Sequence, residues 1–144
     1  MSDRPWVQTV GPARALVADD DPVVRLDIRQ TLESAGLSVC GDARDGGEAV
    51  ELAVQLRPDV VVLDAAMPVT DGVAAAREIL SVFHVPIVML TGYGYGDLIS
   101  RALDAGVSAY VVKPFREDDL LAAVAAVLRG GHTRETLAYL RRAD

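Results

Sequence analysis

Residues 60–64 read Val-Val-Val-Leu-Asp, an unbroken apolar run that ends in a carboxylate. Three other runs also pass from apolar residues to a polar group: ALVADDD at 15–21, IVMLT at 87–91 and YVVKPF at 110–115. Short apolar runs separated by helical patterns are typical of a parallel sheet buried on both faces. Because ligands bind outside the carboxyl ends of the strands in such sheets, we expect the four polar groups to meet at one edge.

The alternation of strand and helix patterns continues along most of the chain. Predicted strands cover 15–18, 37–43, 60–63, 86–90 and 109–112, and predicted helices cover 22–35, 45–57, 73–80, 97–105 and 117–128. Asp21 and Pro22 together form a helix start signal, as N-cap and first helical residue. Five such units with right-handed crossovers favour an α/β fold, a doubly wound (βα)5 flavodoxin-like parallel sheet with strand order 2-1-3-4-5.

Size and composition limit the classes of function. The 144 residues correspond to one domain at 14–129, with an N-terminal extension at 1–13 and, at 130–144, a C-terminal tail or the start of a linker. A net charge of −7 argues against binding nucleic acid or an anionic membrane through charge alone. The single cysteine excludes an internal disulfide, and no apolar run resembles a signal peptide or a membrane span. We therefore expect a cytoplasmic location.

The polar groups at the predicted sheet edge suit a phosphoryl group and a divalent cation. Two carboxylates about 4 Å apart repel each other by roughly 1 to 4 kcal/mol. A cluster of Asp19, Asp20 and Asp64 therefore needs either a compensating cation or a shifted pKa. An all-oxygen acidic cluster suits Mg²⁺, which keeps some of its coordination places for water and phosphate oxygens. Lys113 adds a positive charge on a flexible stem that can contact a phosphate.

In order and spacing, these motifs resemble the receiver domain of two-component response regulators. The resemblance covers roughly residues 14–129. It rests on the following motifs: Asp19-Asp20, Asp64 with Met67-Pro68 and Asp71-Gly72, Thr91, and Lys113-Pro114-Phe115. Each motif is weak by itself, whereas all of them in order at successive strand ends are specific.

The resemblance implies a role for each acidic residue. Asp64 resembles the phospho-acceptor, which takes the phosphoryl group from a phosphohistidine on a sensor histidine kinase or a histidine phosphotransfer protein. Mg²⁺ is the implied cofactor. Asp20 resembles its direct ligand, Asp19 would hold it through water, and the backbone carbonyl of Ala66 would complete the protein ligands with Asp64. The protein would thus catalyse its own phosphorylation, while acting mainly as a signalling switch.

The resemblance also implies how the switch operates. Lys113 and Thr91 would contact phosphoryl oxygens, and the bond before Pro114 is expected to be cis. Movement of Thr91 towards the phosphoryl group would let Tyr110 on strand five rotate inward. The surface of helix four, strand five and helix five would then change, and this surface is a candidate homodimer interface.

Two departures from the family pattern bear on the lifetime of the phosphoryl group and on loop motion. Ala66 stands where many receivers carry a larger residue, and Tyr93 lies two places after Thr91, so we expect dephosphorylation to be slowed. Three alternate glycines at 92–96 leave open a mobile loop or a hinge with Tyr93 or Tyr95 free to contact a partner.

The output of the switch remains open. The chain could be a stand-alone receiver or the receiver part of a larger regulator. Arg25-Leu26-Asp27, residues 43–50, and Leu90 to Tyr93 with Asp97-Leu98 are similar to receivers of antiterminator-type (ANTAR) regulators, which bind RNA through a C-terminal helical domain. We expect no direct nucleic-acid contact from this chain and no membrane partner.

Two further classes compete with a working receiver. One is a phosphatase of the haloacid dehalogenase type that uses Asp19 as its nucleophile, with Asp21 completing an Asp-x-Asp spacing. Pro22 leaves no room for the loop that this family carries after its nucleophile. The other is a degenerate receiver that serves only as a scaffold, which the complete acidic set disfavours.

Overall fold

Five parallel strands alternate with five helices in the computed structural model, which describes residues 7–8, 11–92 and 96–130. The strands are β1 Arg14–Ala18, β2 Ser38–Ala43, β3 Val60–Asp64, β4 Ile87–Thr91 and β5 Ala109–Val112. The helices are α1 Pro22–Ser34, α2 Gly46–Leu56, α3 Gly72–Val82, α4 Gly96–Asp104 and α5 Glu117–Leu128. The sheet order is β2-β1-β3-β4-β5, which confirms the predicted 2-1-3-4-5 arrangement.

Apolar layers cover both faces of the sheet. One layer joins α1 and α5 to the sheet and includes Ile28, Leu32 and Leu120. The other joins α2, α3 and α4 to the opposite face and includes Ile79 and Ala102. Successive strand residues point to opposite faces, so continuous runs such as residues 60–63 supply both layers, and all four of these residues are fully buried. Among the described residues, no helix is both long and apolar enough to cross a membrane.

Aspartate side chains fix the starts of three helices. Asp21, Asp45 and Asp71 each accept a hydrogen bond from a backbone N–H in the first turn of α1, α2 and α3, respectively. A carboxylate in this position satisfies N–H groups that have no partner inside the helix. All three helices therefore begin at the same edge of the sheet, where β1, β2 and β3 end.

Some boundaries differ from the predicted ones. The predicted third helix (73–80) extends to Val82, because no glycine or proline interrupts it and the Phe83 N–H still donates to the Ile79 carbonyl, 3.2 Å away. The fourth strand includes Thr91, which pairs with Val112. The peptide bond between Lys113 and Pro114 is cis, as expected.

A short ladder precedes the sheet. Val7–Gln8 pairs with Gly11–Pro12 in antiparallel orientation. Ala13 is fully buried, and its carbonyl accepts a hydrogen bond of 2.9 Å from the Ser38 N–H. The predicted N-terminal extension thus contacts the body of the domain at its last residue. Residues 1–6, 9 and 10 of the extension lie outside the described part of the chain.

Candidate functional site

The carboxyl ends of four strands bring the predicted polar residues to one edge. Asp19 directly follows β1, Asp64 is the last residue of β3, Thr91 is the last of β4, and Lys113 directly follows β5. The parallel register aligns these ends, since Ala18 is paired with Leu63 and Asp64 with Leu90. The expected convergence at one sheet edge therefore occurs.

Three carboxylates form a cluster at this edge. Oxygen atoms of Asp19, Asp20 and Asp64 lie within 4.8 Å of one another. Asp19 is fully buried and Asp64 is 5% exposed, whereas Asp20 is exposed to solvent. Two acidic groups thus lie in the floor of the site and one at its mouth.

Lys113 bridges the two buried carboxylates. Its Nζ lies 3.1 Å from Asp19 Oδ2 and 3.4 Å from Asp64 Oδ1. Burial disfavours the ammonium form, but the charges of Asp64 and Asp19 outweigh burial, so the pKa of Lys113 is raised. The ammonium group therefore stays charged and offsets part of the repulsion between the two carboxylates.

Asp64 is the acidic group whose charge is most costly. Burial, followed by the charge of Asp19, raises the pKa of Asp64 from 3.8 to about 6, although Lys113 and the Ala66 N–H oppose this shift. The Ala66 N–H lies 3.3 Å from Asp64 Oδ1 and donates to it, while Ala66 itself is exposed. The Asp64 carboxylate therefore has fewer compensating interactions than its burial requires.

The Asp19 side chain is held more firmly. The Asp21 N–H donates to Asp19 Oδ1 over 2.9 Å, while Lys113 contacts Oδ2. The backbone N–H of Asp19 donates to the Ala43 carbonyl at the end of β2. These contacts on both carboxylate oxygens and the main chain fix Asp19 relative to the sheet.

The donor set fits a divalent cation. All the candidate side-chain ligands are carboxylate oxygens, which suit a hard cation such as Mg²⁺. Burial, followed by the charge of Asp19, raises the pKa of Asp64 even with Lys113 in place, so the ammonium group does not fully offset these two effects. The exposure of Asp20 gives access from solvent. A cation at this cluster would therefore relieve an existing charge excess.

Thr91, the last residue of β4, and Tyr110 in β5 are both buried. Thr91 is 1% exposed, and its hydroxyl donates to the Gly92 carbonyl over 3.4 Å. Tyr110 is buried on the face of the sheet that α4 covers, in the same apolar cluster as Ala102. Leu98 packs against that cluster, so the aromatic ring and α4 share one layer.

Two glycines hold the loop after Asp64 close to the sheet and to α2. A Cβ atom at Gly72 would overlap the backbone carbonyl of Asp64, and one at Gly46 would overlap the carbonyl oxygen of Thr70. Gly72 belongs to the Asp71-Gly72 motif, whereas no sequence pattern indicates a role for Gly46. The loop between β3 and α3 is therefore anchored at both ends by contacts that only glycine permits.

Val69, at the tip of this loop, has an unfavourable backbone conformation. Its φ is 70°, and the Thr70 N–H donates to the Pro68 carbonyl across it, which makes a three-residue turn. Positive φ is costly for a β-branched residue. Because Val69 is 86% exposed, it gains little from packing in return.

Replacing Val69 by glycine is expected to raise the free energy of unfolding by about 1 kcal/mol, because relief of the backbone strain exceeds the entropic cost of glycine. Val23→Gly is the matched control, since Val23 is 74% exposed but lies in helix α1. This control should lose about 0.4 kcal/mol, the difference in helix propensity between valine and glycine. Urea unfolding of both variants measures the difference, and a loss of stability in Val69→Gly would show that the turn is not strained.

Sequence reasoning missed Arg25 as a residue of this site. Its guanidinium Nη1 donates to the backbone carbonyl of Asp19 over 2.8 Å, and its Nε lies 3.8 Å from Asp42 Oδ1. A usable signal was its position one helical turn after the N-cap Asp21, because helical side chains point back towards the N-terminus. Tyr93 and Tyr95, the predicted partner contacts, and residues 131–144 of the predicted tail lie outside the described residues.

Solved structures with this fold include signalling proteins. A CheX–CheY–BeF3–Mg complex from Borrelia burgdorferi contains a chain that is 27% identical, with a TM-score of 0.82 and coverage of 87% of this chain and 98% of that chain. The signal receiver domain of a NarL response regulator from Mycobacterium tuberculosis is 28% identical, with a TM-score of 0.79 and coverage of 83% and 98%.

Sequence comparison gives the same result. The transcriptional regulatory protein PdtaR of Mycobacterium tuberculosis is 47% identical over 113 residues, which are 78% of this chain but 55% of PdtaR. The chain thus spans about half the length of that relative. The protein CcdB of Bacillus subtilis is 38% identical over 83% of this chain and 98% of its own length.

The family described as the response regulator receiver domain matches residues 15–125. That range contains all five strands, apart from Arg14 at the start of β1. It also includes the acidic cluster, Thr91, Tyr110 and Lys113. The chain therefore belongs to the response regulator receiver domains of two-component signalling systems.

Proposed function

We propose that this receiver works as a switch in which Asp64 accepts a phosphoryl group in the presence of Mg²⁺. The donor would be the phosphohistidine of a sensor histidine kinase or of a histidine phosphotransfer protein in the same cell compartment, which we take to be the cytoplasm. The observation that carries the proposal is the placement of Asp64 beside Lys113, Asp19 and Asp20. The side chains of Asp19, Asp20 and Asp64 and the carbonyl of Ala66 would hold the cation.

The proposed reaction needs positioning and charge more than covalent chemistry. A carboxylate oxygen of Asp64 attacks phosphorus, the phosphorus–nitrogen bond of the donor breaks, and the imidazole leaves with its electron pair. When bound, Mg²⁺ supplies positive charge to the phosphoryl oxygens. Lys113 would add its ammonium charge, since its Nζ already lies 3.4 Å from Asp64 Oδ1.

Thr91 would couple the presence of the phosphoryl group to a conformational change in the rest of the domain. Its hydroxyl donates weakly to Gly92 at 3.4 Å, so exchange of this partner for a phosphoryl oxygen costs little. Thr91 pairs with Val112 of β5, and Tyr110 on the same strand packs in the layer that α4 shares. Movement of Thr91 would thereby alter the surface formed by α4, β5 and α5, which we propose as the partner-binding and homodimer surface.

The output of the switch has two candidates, each favoured by one comparison. CcdB matches over 98% of its length, which favours a receiver that acts as a separate unit through protein contacts. PdtaR is a transcriptional regulatory protein, and it extends well beyond the matched part. This second match favours a receiver that regulates an output region, including the antiterminator type. The haloacid dehalogenase alternative has no support, since the chain belongs to the receiver family.

Incubation with acetyl phosphate and Mg²⁺ is expected to add one phosphoryl group per chain, measured as intact-protein mass. Removal of Mg²⁺ by a chelator should abolish the gain, and so should Asp64→Asn. Asp71→Asn is the matched control, because Asp71 lies in the same loop but caps α3, a role that asparagine also fills. Equal phosphorylation of Asp64→Asn and wild type would rule out Asp64 as the acceptor.

A further inference from the structure

Asp20 lies at the solvent-exposed side of the acidic cluster, and its side chain has few contacts that could orient it. Its side chain is exposed, and within the described part of the chain no protein group donates a hydrogen bond to its carboxylate. Asp19, by contrast, is held at both carboxylate oxygens and at its N–H. Because no contact from these described residues holds the Asp20 side chain itself, its starting direction is set by the backbone, which includes the peptide group that joins Asp19 to Asp20.

Arg25 fixes that peptide group. Its Nη1 donates to the carbonyl oxygen of Asp19 over 2.8 Å, and this oxygen belongs to the peptide between Asp19 and Asp20. The Arg25 side chain is only 17% exposed, so water competes weakly for the bond. Rotation of this peptide would break a charge-assisted hydrogen bond and would also turn the Cα–Cβ bond of Asp20.

Asp42 holds the guanidinium of Arg25 in place from the neighbouring strand. Its carboxylate lies 3.8 Å from Arg25 Nε and accepts a bond of 3.1 Å from Arg29 Nη1. Arg25 is thereby tied to β2, while its own backbone belongs to α1. The peptide group after Asp19 is thus held by a side chain that is itself fixed by two elements of the fold, α1 and β2.

We propose that Arg25 is a positioning residue that aims the Asp20 carboxylate at Mg²⁺ by holding the Asp19 carbonyl. The inference rests on the proposed Mg²⁺ site and adds a residue that touches neither the metal nor the phosphoryl group. Partners that orient metal ligands typically change metal affinity by 10–100-fold when they are removed. Loss of Arg25 therefore weakens Mg²⁺ binding even though it also removes a positive charge from beside the site.

Arg29 provides the control for charge. It lies one turn further along α1 and shares the Asp42 carboxylate. Its guanidinium contacts Asp42 and Glu33 and not the Asp19 carbonyl. Arg29→Met removes the same charge from the same network and leaves the peptide after Asp19 in place. If Arg25 acted only through its charge, both methionine variants would bind Mg²⁺ more tightly than the wild type.

Calorimetric titration of Mg²⁺ into the unphosphorylated protein tests the proposal. Arg25→Met should raise the Kd for Mg²⁺ about tenfold, whereas Arg29→Met should leave it at or slightly below the wild-type value. Arg25→Lys should lie between, because one ammonium group cannot hold both the Asp19 carbonyl and Asp42. Arg25→Met binding as tightly as Arg29→Met would overturn the proposal.

Urea unfolding without Mg²⁺ separates positioning from simple support of the fold. A purely structural role would lower the free energy of unfolding of Arg25→Met and leave its Kd unchanged, which also overturns the proposal. If Arg25→Met does not fold, Arg25→Lys and Arg29→Lys form the decisive pair, with weaker binding expected only for Arg25→Lys. Absence of Mg²⁺ binding in the wild type would overturn the proposed function itself, and the inference with it.

Discussion

Replacing Gly46 by alanine is expected to destabilise the protein by about 3 kcal/mol, a large part of the stability of an ordinary domain. The added Cβ would overlap the carbonyl oxygen of Thr70, and the nearest atoms are backbone, which cannot rotate away. Either α2 or the loop after Asp64 must then move. The shift should also disturb the acidic site, because the loop is continuous with Asp64 and Ala66.

Gly47→Ala is the control, because it changes the neighbouring residue in the same helical turn. A Cβ at Gly47 has its nearest contact at 3.4 Å, with a side-chain oxygen of Asp45. Alanine is favoured over glycine in a helix by about 1 kcal/mol, so this variant should be as stable as the wild type or more so. Urea unfolding measures both, and equal stability of the two variants would contradict the proposed close approach between α2 and the loop.

Asp64→Asn is expected to stabilise the metal-free protein by about 3 kcal/mol at pH 7.5 or above, the free energy that corresponds to a shift of about two pH units. Asparagine keeps the shape of the carboxyl group but removes the buried charge that Asp19 opposes. The same substitution that abolishes phosphorylation thus strengthens the fold. Urea unfolding without Mg²⁺ measures the gain, and Asp71→Asn should show little of it.

The pH dependence gives the sign of this effect. The pKa of Asp64 is raised from 3.8 to about 6, so between these values the folded protein holds a proton that the unfolded chain has released. The contribution of Asp64 to stability is therefore intact below about pH 4 and is lost as the pH rises to about 6. The stability difference between wild type and Asp64→Asn should grow over that range. A difference independent of pH would contradict a charge effect.

The strands and the site could be predicted because the residues of each strand indicate that it is buried, and a polar residue marks where it ends. Continuous apolar runs such as residues 60–63 require a sheet covered on both faces, and the polar residue that follows marks the edge where ligands bind. The helix starts at Asp21 and Asp45 were predictable for a similar local reason, since a capping carboxylate acts on its own first turn.

Long-range contacts could not be read from the residues in this way. The approach of Gly46 to Thr70 joins residues far apart in the chain, and no local pattern distinguishes it from the adjacent Gly47. The link from Arg25 to the Asp19 carbonyl depends on the angle between α1 and β1. The raised pKa of Asp64 likewise depends on how deeply the chain buries that carboxyl group, which composition and spacing do not state.

Borohydride trapping would locate the phosphoryl group within the acidic cluster. Reduction of an acyl phosphate by borohydride converts the modified aspartate to homoserine, which peptide mass mapping then places in the sequence. After incubation with acetyl phosphate and Mg²⁺, we expect homoserine at the position of Asp64 and at no other carboxylate of the cluster. Homoserine at the position of Asp19 instead would mean that the nucleophile follows β1, and that the proposed roles of Asp64 and Lys113 are wrong.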